Sequence, residues 1–310
     1  MMFWIKCILE IFIIEINLRN GGFYMIDLHI HSKYSDGKYS IEEIVQKAQS
    51  KDISTIAITD HDNIESVKHI VDTLLLEKML FVPGVELSTE SFFFGDKMKI
   101  HLLGYGFNYQ NQTLINSLNN IYCRRASDNK EYIENLTKLF GFINLDMFYN
   151  FDYGKYGWIR KLILEYISSY INDDDRKILS DYLVSNKPIY HGYNFKIEEA
   201  IEIINNAGGY PVIAHPFHLN LDNDKLKILI EYLTNCGLKG IETYHNDSTI
   251  EQSKFYHSLA EMYNLLESGG SDFHSDNFGI VHEQLKTEDN TLVKRLVLEK
   301  KVMGGNYGRK

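Results

Sequence analysis

Short apolar runs alternate with amphipathic stretches of helical period from Met25 onward, and few folds accommodate that pattern. Met25–Ile30 is predicted to be the first strand. Ser40 and Glu43 form the capping-box pattern with which the first predicted helix begins. The alternation continues to the apolar segment that ends at Gly270. Strands that are separated by helices typically form sheets covered by those helices. The sequence therefore predicts an α/β fold.

One segment interrupts this alternation. Between residues 111 and 186, long helical patterns follow one another with no convincing strand between them. We interpret residues 111–186 as a helical insertion, or cap domain. The main domain would then consist of residues 25–110 and 187–310, on either side of the insertion.

Residues 1–24 precede the first predicted strand, and we expect them to form an extension outside the fold. Their apolar run is interrupted by Lys6, Glu10 and Glu15. Ionised side chains at such positions are costly inside a bilayer. A membrane-spanning helix is therefore not expected, and a helix lying on a membrane surface is the alternative left open.

Charge and cysteine content exclude several classes of protein. The formal net charge is −10, which argues against binding of long duplex nucleic acid, because such binding depends on neutralising phosphates. The three cysteines, Cys7, Cys123 and Cys236, lie far apart without a CxxC pair. They indicate neither a disulfide framework nor a thiolate metal site. We expect a cytoplasmic location and no membrane partner, and the net charge leaves open a local basic pocket for a small phosphorylated ligand.

Histidines and carboxylates collect near the ends of the predicted strands. His29 and His31 are two residues apart on the first strand, so their side chains point the same way. The carboxyl ends of strands are where α/β folds place their sites. The candidate ligands are His29, His31, Asp36, His61, Glu86, His101, His215, Asp272 and His274.

Each candidate has an ordinary structural explanation when it is considered alone. A histidine on an apolar strand is more often hydrogen-bonded in the core than bound to a metal, and His-x-His pairs also occur by chance. Convergence of all nine on one face of the sheet requires cations, because buried ionised groups need compensation. We therefore predict a metal site. His218 and His245 also lie near strand ends and are candidates for substrate contacts or for support of the ligands.

The predicted ligands combine imidazole and carboxylate groups and include no thiolate. This combination suits manganese, zinc or iron, and the number of ligands predicts more than one divalent cation. Such cations lower the pKa of bound water to about 7 and polarise a phosphoryl or carbonyl oxygen. The pattern therefore favours hydrolysis over redox chemistry.

Several motifs resemble those of the polymerase-and-histidinol-phosphatase (PHP) family and follow one another in the family's order. They span nearly the whole chain after Met25. Within the family, the chain looks most like the stand-alone phosphoesterases that act on nucleoside 3',5'-bisphosphates and short 5'-phosphorylated RNA. The matching segments are Asp27–Ser32 with Ser35–Gly37, Thr59–Asp62, Pro83–Ser88, Ala214–Pro216 and Ser271–His274.

The resemblance implies a distorted (β/α)7 barrel of the PHP type that holds three divalent cations. Carried over by motif, Glu86 would bridge the first and second cations. The first would also be held by His29, His31 and Asp272, the second by His101 and His215, and the third by Asp36, His61 and His274.

The resemblance also implies that arginines of the helical insertion contact the substrate phosphate. Arg124 or Arg125 and Arg160 lie where such contacts are expected. The segment Tyr156–Lys161 departs from the family pattern, because it lacks the usual Arg-Pro-His sequence. The substrate is therefore less well defined than the chemistry.

We expect a metal-dependent phosphoesterase that uses a metal-bridging hydroxide to attack phosphorus in a nucleoside 3',5'-bisphosphate or a 5'-phosphorylated short RNA. One alternative is a histidinol-phosphate phosphatase. Another is a PHP module without catalysis, in a structural or interaction role. The inserted helices and the Pro-Gly-Val-Glu motif favour the nucleotide substrate. The nine intact ligand positions favour an enzyme.

Overall fold

A computed structural model describes residues 25–73, 79–155, 159–186, 194–275 and 291–299. The predicted N-terminal extension, residues 1–24, lies outside the described residues. The described strands are β1 (Met25–Ile30), β2 (Ile53–Ile58), β3 (Leu80–Phe81), β4 (Gly84–Phe93), β5 (Asp96–Tyr105), β6 (Tyr210–Ile213), β7 (Gly240–His245) and β8 (Leu266–Gly270).

Helices alternate with strands from β1 to β3 and again from β6 to β8, and the described elements between β5 and β6 are helical. Ser40 caps the first helix with its side chain, and Glu43 completes the capping box that the sequence predicted. The described α-helices are α1 (Ile41–Ser50), α2 (Glu65–Thr73), α3 (Gln112–Leu139), α4 (Ile159–Ile167), α5 (Asp173–Ser185), α6 (Ile197–Asn206), α7 (Asn223–Asn235), α8 (Ile250–Tyr263) and α9 (Thr291–Leu298).

The strands form two sheets. One has the order β1-β2-β3 with parallel pairs, and the other has the order β4-β5-β6-β7-β8. Isolated bridges pair Ile30 with Phe273 and His61 with Glu86, so the two sheets meet next to the predicted ligands. The α/β fold is confirmed. Within the described ranges the strand ladders do not close into a ring, and the (β/α)7 barrel stays a prediction.

A long antiparallel hairpin separates the parallel strands. β4 and β5 pair along their whole length, from Gly84 with Tyr105 to Phe93 with Asp96, and β5 also runs antiparallel to β6. The turn consists of Phe94 and Gly95, both with positive φ, which matches the twist of paired strands. His101 therefore lies inside β5. The sequence pattern had placed it near a strand end.

Alternation along β1 separates the hydrophobic core from the polar site. Ile26 and Leu28 are buried in an apolar cluster with Val212. Asp27 and His29 alternate with them and are also buried, so they point to the opposite face of the strand. The strand is thus apolar toward the core and polar toward the candidate ligands.

Contacts between Cα atoms divide the chain into two compact units, with boundaries between Ile115 and Asn116 and between Asn194 and Phe195. The unit Asn116–Asn194 has its own apolar cluster, which includes Leu136, Phe148 and Leu179. The other unit carries all the strands named above. Within the described ranges, no helix combines the length and the apolar character needed to cross a membrane.

Candidate metal centre

All nine predicted ligands lie in the unit that carries the sheets. His29 is in β1, Glu86 in β4 and His101 in β5, whereas the other six lie in the connections that follow strands. The bridges between Ile30 and Phe273 and between His61 and Glu86 bring the ends of different strands together. Residues from distant parts of the sequence are therefore neighbours in this structure.

Glu86 lies at the centre of the cluster. Its side chain is fully buried, and each of its two oxygens contacts more than one imidazole. Its Oε2 lies 3.2 Å from His29 Nε2, 3.1 Å from His31 Nε2 and 3.3 Å from His61 Nδ1, and its Oε1 lies 2.8 Å from His101 Nδ1 and 3.1 Å from His215 Nε2. This position suits a carboxylate shared between cations.

Three groups of side chains have the spacing of metal ligands, with their donor atoms within 4.8 Å of one another. Eight of the nine predicted residues fall into these groups, and His215 contacts the group around Glu86 at 3.1 Å. The groups are His29, His31, Glu86 and Asp272; His31, Asp36, His61 and His274; and His61, Glu86 and His101.

The ligand atoms are chemically suited to divalent cations. Both ring nitrogens of His31, Oδ1 of Asp36 and Oδ1 of Asp272 are buried and make no hydrogen bond of good geometry within the described part of the chain, although His31 Nε2 lies 3.1 Å from oxygens of both Glu86 and Asp272. Buried polar atoms without partners are rare in proteins, and bound cations would satisfy them. Nitrogen and oxygen donors without thiolate fit Mn²⁺, Zn²⁺ or Fe²⁺. These residues therefore support divalent metal ions as cofactors.

Electrostatic coupling within the cluster is strong. Burial by itself raises the pKa of Glu86, but the surrounding histidines, led by His61, outweigh burial and hold this pKa well below its usual range. Burial lowers the pKa of His31, but Asp272 and Glu86 outweigh that effect and raise it to about 10. Without metal, protons on His29 and His31, whose pKa values are both raised, therefore balance the buried carboxylates, whereas burial lowers the pKa of His61.

Backbone strain is concentrated around the cluster. Asp62, His215 and Asp272 all have positive φ, at 48°, 26° and 52°. Non-glycine residues in such conformations cost about 1–3 kcal/mol each and persist where the surrounding structure holds them. Each of the three directly follows or belongs to a segment that carries predicted ligands. The strain is consistent with a site whose geometry is imposed by the fold.

Buried carboxylates behind the cluster, whose role the sequence did not predict, accept hydrogen bonds from the segments that carry the ligands. Asp60 accepts hydrogen bonds from Ser32 N at 2.8 Å and Ser35 Oγ at 2.6 Å. Asp27 accepts from Ser271 N at 3.0 Å and Ser271 Oγ at 2.6 Å. The sequence signal that could have identified Asp60 and Asp27 is a carboxylate inside an apolar strand or just after it. Such a carboxylate is rarely buried without a partner.

Glu242 in β7 is a further buried carboxylate behind the cluster. Its Oε1 lies 3.0 Å from His29 Nδ1, and its Oε2 accepts the backbone N–H of His215 at 2.6 Å. Its flanking residues, Ile241 and Thr243, are buried, as is Glu242 itself. A single carboxylate therefore contacts two of the predicted ligands from outside the cluster.

His245 presents a hydrogen-bond donor to the cluster. Its Nδ1 accepts the backbone N–H of Asp247 at 3.1 Å, so the neutral imidazole carries its proton on Nε2. That Nε2 is buried, has no hydrogen-bond partner in the ranges that the structure describes, and lies 4.0 Å from Asp272 Oδ2. The ring nitrogen that faces the cluster is thus an N–H donor and not a free metal ligand.

The other predicted substrate contacts occupy varied positions. His218 is exposed, with its ring centroid 4.8 Å from that of His215. Arg124 is exposed on α3, and Arg125 is buried and donates to the carbonyl of Gly154 at 3.2 Å. Arg160 lies in α4, and its side chain is outside the described part of the chain. Their contact with substrate stays a prediction.

Three enzymes are similar to this chain over most of its length. The 3',5'-nucleoside bisphosphate phosphatase of Chromobacterium violaceum is 26% identical over 82% of this chain and 88% of its own length. The phosphoribosyl 1,2-cyclic phosphate 1,2-diphosphodiesterase of Eggerthella lenta is 27% identical, over 82% and 95%. The 5'-3' exoribonuclease of Haemophilus influenzae is 27% identical, over 80% and 89%.

Two solved structures share the fold. An amidohydrolase from Chromobacterium violaceum, with bound sulfate and no metal, has a TM-score of 0.69 at 24% identity and covers 91% of this chain and 98% of its own. A protein from Bifidobacterium adolescentis assigned as a metal-dependent phosphoesterase has a TM-score of 0.62 at 22% identity, covering 88% and 96%.

The names of the three enzymes all describe cleavage of phosphate esters. The predicted enzyme class, a phosphoric ester hydrolase, is therefore confirmed. The family described as PHP domain matches residues 27–282, a range that includes every predicted metal ligand. This chain belongs to the PHP domain family, as its motifs had indicated.

Proposed function

We propose that this chain is a metal-dependent phosphoesterase that hydrolyses phosphate esters of small nucleotides, either a nucleoside 3',5'-bisphosphate or a 5'-phosphorylated short RNA. The observation that carries the proposal is the position of Glu86, within 3.3 Å of ring nitrogens of five histidines. A relative named for the first activity is 26% identical to the chain, and a relative named for the second is 27% identical.

The proposed centre holds three divalent cations, of manganese, zinc or iron, at the mouth of a (β/α)7 barrel. Three groups of donor atoms within 4.8 Å support that number. When bound, such cations supply a hydroxide near neutral pH and stabilise negative charge on the phosphoryl group. The proposed ligands are His29, His31, Asp36, His61, Glu86, His101, His215, Asp272 and His274.

The protein's own groups would orient the substrate. His245 offers an Nε2–H that has no hydrogen-bond partner among the described residues, and we propose that it donates to a phosphoryl oxygen. His218, Arg124, Arg125 and Arg160 are the other proposed contacts. We also propose that residues 111–186 form a cap domain inserted between the two parts of the catalytic domain, 25–110 and 187–310, and that the enzyme is cytoplasmic.

Two alternatives use the same cluster. A histidinol-phosphate phosphatase would act on a different leaving group, and a module without catalysis would bind metal without turnover. The similarity to a cyclic phosphate diesterase, at 27% identity, adds a third substrate type to be tested. The catalytic alternatives predict different products, and the module predicts none.

A substrate panel tests the proposal. Purified protein with Mn²⁺ is assayed for release of phosphate from 3',5'-bisphosphates and histidinol phosphate, for shortening of 5'-phosphorylated RNA, and for opening of a ribose cyclic phosphate. His29→Ala is expected to abolish turnover. The matched control is His257→Ala on α8, because the His257 side chain is 47% exposed and contacts Glu267 outside the metal groups. Turnover of only the histidinol or cyclic substrate refutes the nucleotide proposal, and metal binding without any turnover supports the module.

A further inference from the structure

The two oxygens of Glu242 act on two different predicted ligands. Glu242 is 1% exposed, Oε1 lies 3.0 Å from His29 Nδ1, and Oε2 accepts the backbone N–H of His215 at 2.6 Å. We propose that Glu242 is a positioning residue, which sets the tautomer of His29 and the backbone conformation of His215 so that both can bind cations. The inference rests on the metal centre of the proposed function.

The contact with His29 determines which ring nitrogen is available. An ionised carboxylate only accepts hydrogen bonds, so the Nδ1 that faces Glu242 carries a proton. The lone pair of a neutral His29 is then on Nε2. That atom faces the cluster, at 3.2 Å from Glu86 Oε2 and 3.3 Å from Asp272 Oδ1. Carboxylate partners of this kind orient metal-binding histidines in other proteins.

The contact with His215 holds an unfavourable backbone. His215 has φ 26° and ψ 66°, and it precedes Pro216, which disfavours helical conformations in the preceding residue. The hydrogen bond from its N–H to Glu242 fixes the start of the turn after β6. His215 Nε2 is thereby placed 3.1 Å from Glu86 Oε1. Glu242 therefore supports two ligands of the same central carboxylate.

Replacing Glu242 with glutamine makes this inference sharply testable. A glutamine side chain has nearly the same shape, but only one of its two terminal groups accepts hydrogen bonds. If the amide oxygen stays with the His215 N–H, the amide NH₂ faces His29 Nδ1, and the His29 proton must move to Nε2. In the opposite orientation, the NH₂ faces the His215 N–H. Either orientation disturbs one ligand, although packing is preserved.

The experiment compares wild type, Glu242→Gln and the matched control Glu267→Gln. Glu267 is 7% exposed on the neighbouring strand β8, and its Oε2 contacts His257 Nδ1 at 2.9 Å, away from the metal groups. Zinc affinity is measured by competition with a chelator. Histidine tautomers in the zinc-loaded protein are measured by NMR with ¹⁵N-labelled histidine, and thermal melting of the metal-free proteins checks folding.

We expect zinc-loaded wild type to show His29 with its proton on Nδ1. Glu242→Gln should weaken zinc binding by about 10–100-fold, as loss of such partners does elsewhere, and Glu267→Gln should bind as wild type does. Wild-type zinc affinity in Glu242→Gln overturns the inference. So does a wild-type His29 that carries its proton on Nε2, a result that is decisive even if the variant does not fold.

Neither readout depends on a substrate. Absence of turnover on every nucleotide tested would therefore contradict the proposed activity and leave the role of Glu242 standing. A wild-type protein that binds no zinc, manganese or iron would contradict both.

Discussion

Metal-free protein is expected to lose stability as the pH rises from about 6.5 to about 9. One source is His31, whose pKa in the folded protein is raised from 6.5 to about 10: burial lowers it, but Asp272 and Glu86 more than compensate. Between these pH values the folded state keeps a proton that the unfolded chain has released. This contribution is complete below pH 6.5 and is lost as the pH rises through the folded pKa.

The magnitude follows from the same shift. One group of this kind contributes up to about 1.4 kcal/mol per pH unit, so His31 accounts for about 3 kcal/mol between pH 6.5 and pH 9. Its side chain is fully buried, and screening by solvent does not reduce the figure. The pKa of His29 is shifted in the same direction, since Glu242 and Glu86 outweigh its burial. The loss is large against a typical total of about 5–15 kcal/mol.

Urea unfolding followed by circular dichroism, with a chelator present, measures this dependence. His31→Gln should reduce the pH slope by close to one proton, although its stability is also lower. Saturating Zn²⁺ should reverse the slope, because metal binding displaces protons from the ligands and strengthens as the pH rises. Stability of the metal-free protein that is constant or increases from pH 6.5 to pH 9 would refute this account of the cluster.

Two further predictions concern the walls of the site. Gly270→Ala is expected to destabilise the protein by about 1–3 kcal/mol and to weaken metal binding, because a Cβ at this position would overlap the Cβ and backbone N of His29. Thermal melting measures the loss, with Gly141→Ala as the control, since no atom of the described residues lies within 4 Å of a Cβ at that position. His245→Leu should raise KM by about 10–100-fold without loss of bound metal, because that factor corresponds to one hydrogen bond to a charged group. His245→Gln should retain part of the affinity for substrate. An unchanged KM of His245→Leu in steady-state assays would contradict the donor role.

Much of the fold was predictable because local rules agree along the chain. The capping box at Ser40 and the strand Met25–Ile30 both have short-range physical causes, and the structure confirms both. The antiparallel pairing of β5 was not predictable in the same way. Residues 98–107 form an apolar run whichever neighbour they pair with, and pairing with β4 and β6 is decided by contacts across the sheet. For that reason His101 was assigned to a strand end and was found inside a strand.

Residue type and short spacings were sufficient to identify the chemistry, since His29 and His31 must share a face if they lie on one strand, and imidazole with carboxylate has limited uses. The roles of individual atoms depend on partners that are distant in sequence. Glu242, 213 residues from His29, faces its Nδ1, and a tautomer follows the hydrogen bond that is made and not the residue type. Such pairings exist only once the strands have assembled, because no local pattern encodes which carboxylate lies behind which ring.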